Sequence, residues 1–125
     1  MLVTHPPPPI SARHYRARNA QLNDLTGILH AFDGPWIVAG DFNATPWSAD
    51  YRRFEGQTGL RNVRRGFGLL PTWPSQLLAL GIPIDHVLVS PDFAVTEAKT
   101  GPDIGSDHRP VIATLTLRTA EAGPS

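Results

Sequence analysis

Four consecutive prolines, Pro6 to Pro9, follow the run Met1-Leu2-Val3-Thr4-His5. Proline has no N–H to give a ladder and cannot sit in a helix interior, so this segment must end one element before another begins. The chain is therefore predicted to open with a short strand that stops near His5. Ser11 can cap a following helix, and Tyr15, Leu22, Leu25, Leu29 and Phe32 recur at spacings of three, four or seven. That pattern predicts one amphipathic helix over 12–32, stopped by Asp33-Gly34-Pro35. Trp36-Ile37-Val38-Ala39-Gly40 then runs apolar without alternation, as a strand covered on both faces does. Strand, long helix and buried strand read as a βαβ unit with two parallel strands in one sheet.

Residues 44–83 show little periodicity, with a short helix predicted at 48–55 and a Gly/Pro-punctuated loop from Arg65 to Pro83. After them Ile84 to Ser90, Phe93 to Thr100 and Pro110 to Leu117 read as three strands, predicted to form an antiparallel meander. The class is α/β, a mixed sheet with a long crossover helix. At 125 residues the chain has room for one folded unit, placed at 1–118, with a small and polar tail at 119–125 predicted to be disordered. Eleven Lys+Arg balance eleven Asp+Glu, which excludes a histone-like polybasic binder and disfavours a nucleic-acid binder without chemistry. The absence of Cys excludes a disulfide scaffold, thiolate metal sites and a thiol nucleophile. No apolar run is long enough for a membrane span within this chain.

Polar residues gather where the strands end or begin: Thr4-His5, Gly40-Asp41-Phe42-Asn43, Ile84-Asp85-His86 and Gly105-Ser106-Asp107-His108-Arg109-Pro110. Parallel strands put His5 and Asp41 on the same sheet edge. Asp85 and Asp107-His108 precede their strands, and if those strands run antiparallel to the βαβ pair all four places converge. Asp41 and Asn43, two apart in an extended segment, would offer one charged and one neutral oxygen to a common centre. Such donors suit Mg²⁺ or Ca²⁺ and not zinc. His108 held by Asp85 would be a base able to take a proton from water, and base, metal and polarised phosphoryl oxygen together describe phosphoester hydrolysis. Each motif alone also reads as ordinary turn chemistry; it is the set that argues for a site. Arg61, Arg64 and Arg65 are able to meet a phosphate but read better as a solvated loop, His14, His30 and His86 as structural, and the Asn43-Ala44-Thr45 sequon as incidental.

The strings GDFNATPWS, IDHVLVS and GSDHRPV, in that order and spacing, resemble the closing motifs of the endonuclease/exonuclease/phosphatase superfamily, the DNase I-like hydrolases. THPPPP and the helix after it look like the segment carrying that family's other active-site His. The resemblance implies half of a DNase I-like α/β sandwich and cleavage of phosphodiesters or phosphomonoesters in nucleic acid, phospholipid or small molecules, dependent on Mg²⁺ or Mn²⁺. It puts Asp41 and Asn43 beside the attacked phosphate and metal, Asp85 behind His108, Asp107 near the metal, and His5 as a second acid or phosphate-binding group. Family members carry an Asn strand and a metal-binding Glu before the His equivalent to His5. Here only four residues precede His5, and the glutamates are Glu55, Glu97 and Glu121, none placed to substitute. The expectation is a C-terminal half that holds metal weakly and is weakly active or inactive alone. Its alternative is a non-catalytic half-domain that associates with itself or a partner through an uncovered sheet face. The HPPPP segment and RNAQL resemble a bacterial subgroup whose members often carry membrane helices upstream, which leaves localisation open.

Overall fold

The computed structural model describes residues 2–4, 12–76 and 81–118. In chain order the elements are β1 (Leu2–Thr4), α1 (Ala12–Ala31), β2 (Ile37–Asp41), α2 (Ala49–Thr58), β3 (Arg61–Asn62), β4 (Asp85–Val89), β5 (Phe93–Thr100) and β6 (Val111–Leu117). They form a four-stranded sheet in the order β1-β2-β4-β3 and a separate β5-β6 pair. β1 and β2 are parallel, as the crossover helix requires, and β4 runs antiparallel to β2. The expected three-strand meander is corrected here. β4 hydrogen-bonds into the first sheet, and only β5 and β6 make the C-terminal antiparallel pair. The three-residue break at Ser90-Pro91-Asp92 lets the chain leave one sheet for the other, with Phe93 N–H bonded to the Ser90 carbonyl. The tail at 119–125 lies outside the described residues.

Alternation along β2 and β4 explains why two layers form. Val38 and Leu88 are fully buried among Leu22, Leu25 and Leu29 of α1, Phe42, and Tyr51 and Phe54 of α2. Their neighbours Ile37, Val87 and Val89 point the other way, against Val95, Val111, Ala113 and Leu115 of the β5-β6 pair. Helices thus cover one face of the central sheet and the second sheet covers the other. Each fully buried large apolar side chain contributes roughly 1.5–3 kcal/mol of transfer free energy. Phe32, expected on the core stripe, is instead exposed just past the helix end, where its carbonyl accepts the Trp36 indole N–H.

The short helix predicted at 48–55 is present as α2, and its caps fix its ends. Ser48 in extended conformation accepts the Tyr51 N–H with its hydroxyl, and Gly59 at φ 72° closes the C-terminus by donating to the Glu55 carbonyl. α2 is tied to α1 by a buried ion pair, Arg18 to Asp50 at 2.6 Å, and Arg18 also donates to the Asn43 carbonyl at 3.3 Å. Arg53 shares the same carboxylate from the surface at 3.1 Å. Taking away the Asp50 carboxylate leaves a buried guanidinium short of a counter-charge. Asp50→Ala is expected to cost ~3 kcal/mol in urea unfolding and Arg53→Ala less than ~1 kcal/mol, because a buried broken pair is costly and an exposed one is not. Equal effects would show that the buried pair does not join the helices.

Candidate active site

The register between β2 and β4 pairs Asp41 directly with Asp85. Both lie on the face that looks toward the second sheet, in phase with Ile37 and Val87. Two carboxylates opposite one another repel, and the structure answers this with an imidazole. His108, in the loop before β6, donates Nδ1–H to Asp85 Oδ2 at 2.6 Å and turns Nε2 toward Asp41 Oδ2 at 3.6 Å. These three side chains form the group whose donor atoms all lie within 4.8 Å of one another. A cavity of about 310 Å³ opens over them between the two sheets, with Ser106, Arg109 and Ile104 on its rim.

Other predicted residues are placed less directly. The chain turns immediately after β2, with Asn43 at φ 49°, so the extended alternation expected between Asp41 and Asn43 is not kept. Asn43 holds the site through its backbone: its N–H donates to Asp41 Oδ1 at 2.8 Å, while Oδ2 faces His108. Asp107 is exposed and adds negative charge near His108, but does not join the group of three. His5 lies outside the described residues. Glu55 is engaged by Tyr51 and Arg65, and Glu97 by Lys99, so neither approaches the site.

Burial works against a charged His108, but the Asp85 hydrogen bond and the charges of Asp85, Asp41 and Asp107 outweigh it and raise its pKa above the ordinary 6.5. With Nδ1 committed to Asp85, Nε2 is the atom that takes a proton. Asp41 stands beside it to stabilise the imidazolium that results.

The segment that sequence patterning could not place turns out to brace this pair. Thr72, fully buried, accepts the N–H groups of Ile84 and Asp85 with its hydroxyl, both at 3.3 Å. Its carbonyl accepts the Arg109 N–H at 2.7 Å, while Ser75 donates its N–H to the Asp107 carbonyl and its hydroxyl to the Ser106 carbonyl, both at 2.8 Å. One strap therefore fixes the backbone of both Asp85 and His108. The signal available in sequence was a Thr after Pro71 and a Ser after Pro74.

His86 and Arg64 are also structural. His86 donates Nε2–H to the Ala44 carbonyl at 2.6 Å and accepts at Nδ1 from Arg64 and Asn62, which ties the turn after Asp41 to β4. Burial and the Arg64 charge push its pKa down to about 3, so it stays neutral. Arg64 is no solvated loop residue: it is buried and donates to the carbonyls of Leu69 and Leu70.

This geometry, an Asp-x-Asn turn facing an Asp-held His across antiparallel strands, agrees with a match to the Endonuclease/Exonuclease/phosphatase family over residues 2–108. The chain belongs to that family. A UPF0294 protein of Vibrio parahaemolyticus is 33% identical over 99 residues, 78% of this chain and 34% of the relative. The chain thus spans about a third of the length of the curated relatives it matches. Among solved structures, an endonuclease/exonuclease/phosphatase of Beutenbergia cavernae superposes with a TM-score of 0.76 at 25% identity, over 94% of this chain and 36% of that one. A mannosyl-6-phosphatase of Bacteroides thetaiotaomicron superposes with a TM-score of 0.59 at 21% identity, over 86% and 48%. These likenesses place the two packed sheets in the DNase I-like α/β fold. No helix among the described residues is long and apolar enough to cross a membrane.

A raised folded pKa for His108 means its carboxylate contacts stabilise the fold fully below the unfolded value near 6.5, and that contribution is lost as pH rises through the folded value. NMR titration of the His108 ring is expected to give a midpoint above 6.5 in this chain, and a lower one in Asp85→Asn, where burial remains and the main partner's charge is gone. An unchanged midpoint in Asp85→Asn would mean that the pair does not set the basicity of His108.

Proposed function

We propose that this chain supplies the acid–base part of a divalent-metal-dependent phosphoester hydrolase. The observation that carries the reading is the Asp85–His108–Asp41 row, with one imidazole nitrogen tied down and the other aimed into the cavity. His108 Nε2 takes the proton of the attacking water, Asp85 fixes the tautomer, and Asp41 stabilises the charged ring. The Asn43 N–H orients Asp41, and we assign the Asn43 amide and His5 to the phosphate. The carboxylate oxygens of Asp41 and Asp107 and the amide oxygen of Asn43 are hard donors of the kind Mg²⁺ or Mn²⁺ accepts. When bound, such a cation would polarise the phosphoryl oxygen and stabilise developing charge by several kcal/mol. Two carboxylates facing each other support this fit, since they call for positive charge between them. The substrate is a phosphoester, either mono- or diester; the mannosyl-6-phosphatase neighbour acts on a phosphomonoester.

Because the chain spans only a third of its relatives, the test uses a chimera in which it replaces the matching segment of the Vibrio parahaemolyticus protein. With Mg²⁺ or Mn²⁺, and not with EDTA, the chimera should hydrolyse bis(p-nitrophenyl) phosphate or p-nitrophenyl phosphate. His108→Ala and Asp41→Ala should each lower turnover by ~100-fold or more, the usual weight of a positioned base. The chain alone should show little turnover and weak Mg²⁺ binding. A folded chimera whose turnover ignores His108→Ala would overturn the assignment.

A second reading, a half-domain that associates with itself or a partner, draws on Ile104, Ile112 and Leu117, which are 68%, 41% and 51% exposed on and beside the second sheet. Sedimentation of the chain as a monomer at high concentration would count against it.

A further inference from the structure

A second cavity, of about 470 Å³, lies between α2 and residues 62–69 and is roomier than the one over the catalytic row. Three guanidinium groups line it, those of Arg52, Arg64 and Arg65, against the single carboxylate of Glu55. Glu55 is already paired with Arg65 at 2.8 Å. Arg64 is 6% exposed, and its partners, the carbonyls of Leu69 and Leu70 and the neutral His86, are all uncharged. Among the described residues neither Arg64 nor Arg52 is in an ion pair. Burial disfavours the Arg64 charge and the Asp85 carboxylate offsets that only in part, so an anion entering the space beside Arg64 would offset more of it. Apolar side chains line it too: the Trp47 indole, 55% exposed, Leu69, 53% exposed, and Pro46.

Charge and shape together select the ligand. Guanidinium groups bind phosphate oxygens in bidentate fashion, and an exposed indole offers its face to a flat ring. We propose that this cavity is a nucleotide-like organic-phosphate site, in which Arg52 and Arg65 hold the phosphate and Trp47 stacks on a flat ring. Trp47 stands four residues beyond Asn43, so the turn that holds Asp41 separates the two cavities. The site stands whether or not the catalytic row turns over substrate, and its test needs neither metal nor turnover.

Calorimetry of this chain in EDTA should show saturable binding of adenosine monophosphate, with adenosine and inorganic phosphate each weaker by about tenfold or more. The double variant Arg52→Gln/Arg65→Gln should lose about tenfold in affinity. Both side chains reach the surface, so the fold is kept, whereas Arg64 is too deeply engaged to serve as the probe. Trp47→Leu should weaken adenosine monophosphate and leave inorganic phosphate unchanged, and His108→Ala should bind as the parent does. Absence of saturable binding, inorganic phosphate binding as tightly as the nucleotide, affinity unchanged in the double variant, or loss of binding in His108→Ala would each overturn the proposal.

Discussion

The pairing of Asp41 with Asp85 across two antiparallel strands is the constraint on which the site depends. Like charges set opposite each other in a sheet destabilise it, by up to about 1 kcal/mol when exposed and more where solvent is thin. A chain that places two carboxylates there needs something positive, or able to become so, between them. His108 meets that need from the other sheet, and in doing so becomes more basic than a free imidazole. The repulsion and the chemistry are thus one arrangement: the same two charges that would weaken the strand pair are what prepare His108 to accept a proton. A divalent cation would relieve the same repulsion.

The rest of the fold keeps these three side chains in register. Alternation along β2 and β4 sends Val38, His86 and Leu88 to the helices and Asp41, Asp85 and Val87 to the second sheet, so a single slip would exchange the two carboxylates with the core. The turn after Asp41 is fastened from below by Arg18 through the Asn43 carbonyl and by His86 through the Ala44 carbonyl. The Thr72–Ser75 strap does the same for Asp85 and the His108 loop. Each of these contacts is a side chain or strap satisfying backbone groups that end a strand, which is why the polar residues at the sheet edge are buried without being orphaned.

Elements with strong local periodicity were legible before any coordinates. The α1 stripe of Leu22, Leu25 and Leu29 and the uninterrupted run of β2 both signal their burial directly. The convergence of Asp41, Asp85 and His108 was expected on condition that the later strands run antiparallel to the βαβ pair, and β4 does run antiparallel to β2. What escaped was decided by non-local choices. Three successive strands look alike whether β4 pairs with β5 or with β2, and only the sheet-to-sheet packing of Val87 and Val89 decides it. Arg64 looked like one of three surface arginines because nothing in RNVRR reveals that the carbonyls of Leu69 and Leu70 fold back over it. Asn43 was expected to follow the alternation of a strand that had in fact already ended at Asp41.

The chemistry of the site reduces to the state of one ring. If Asp85 holds Nδ1–H and Asp41 faces the other nitrogen, then neutral His108 carries its proton on Nδ1, the less common choice for an imidazole in water, and offers Nε2 as the base. Nitrogen-15 chemical shifts of the His108 ring, recorded above its midpoint, read that choice directly. The account predicts a protonated Nδ1 and a bare Nε2, with the preference lost in Asp85→Asn; a ring protonated on Nε2 with Nδ1 bare would contradict it.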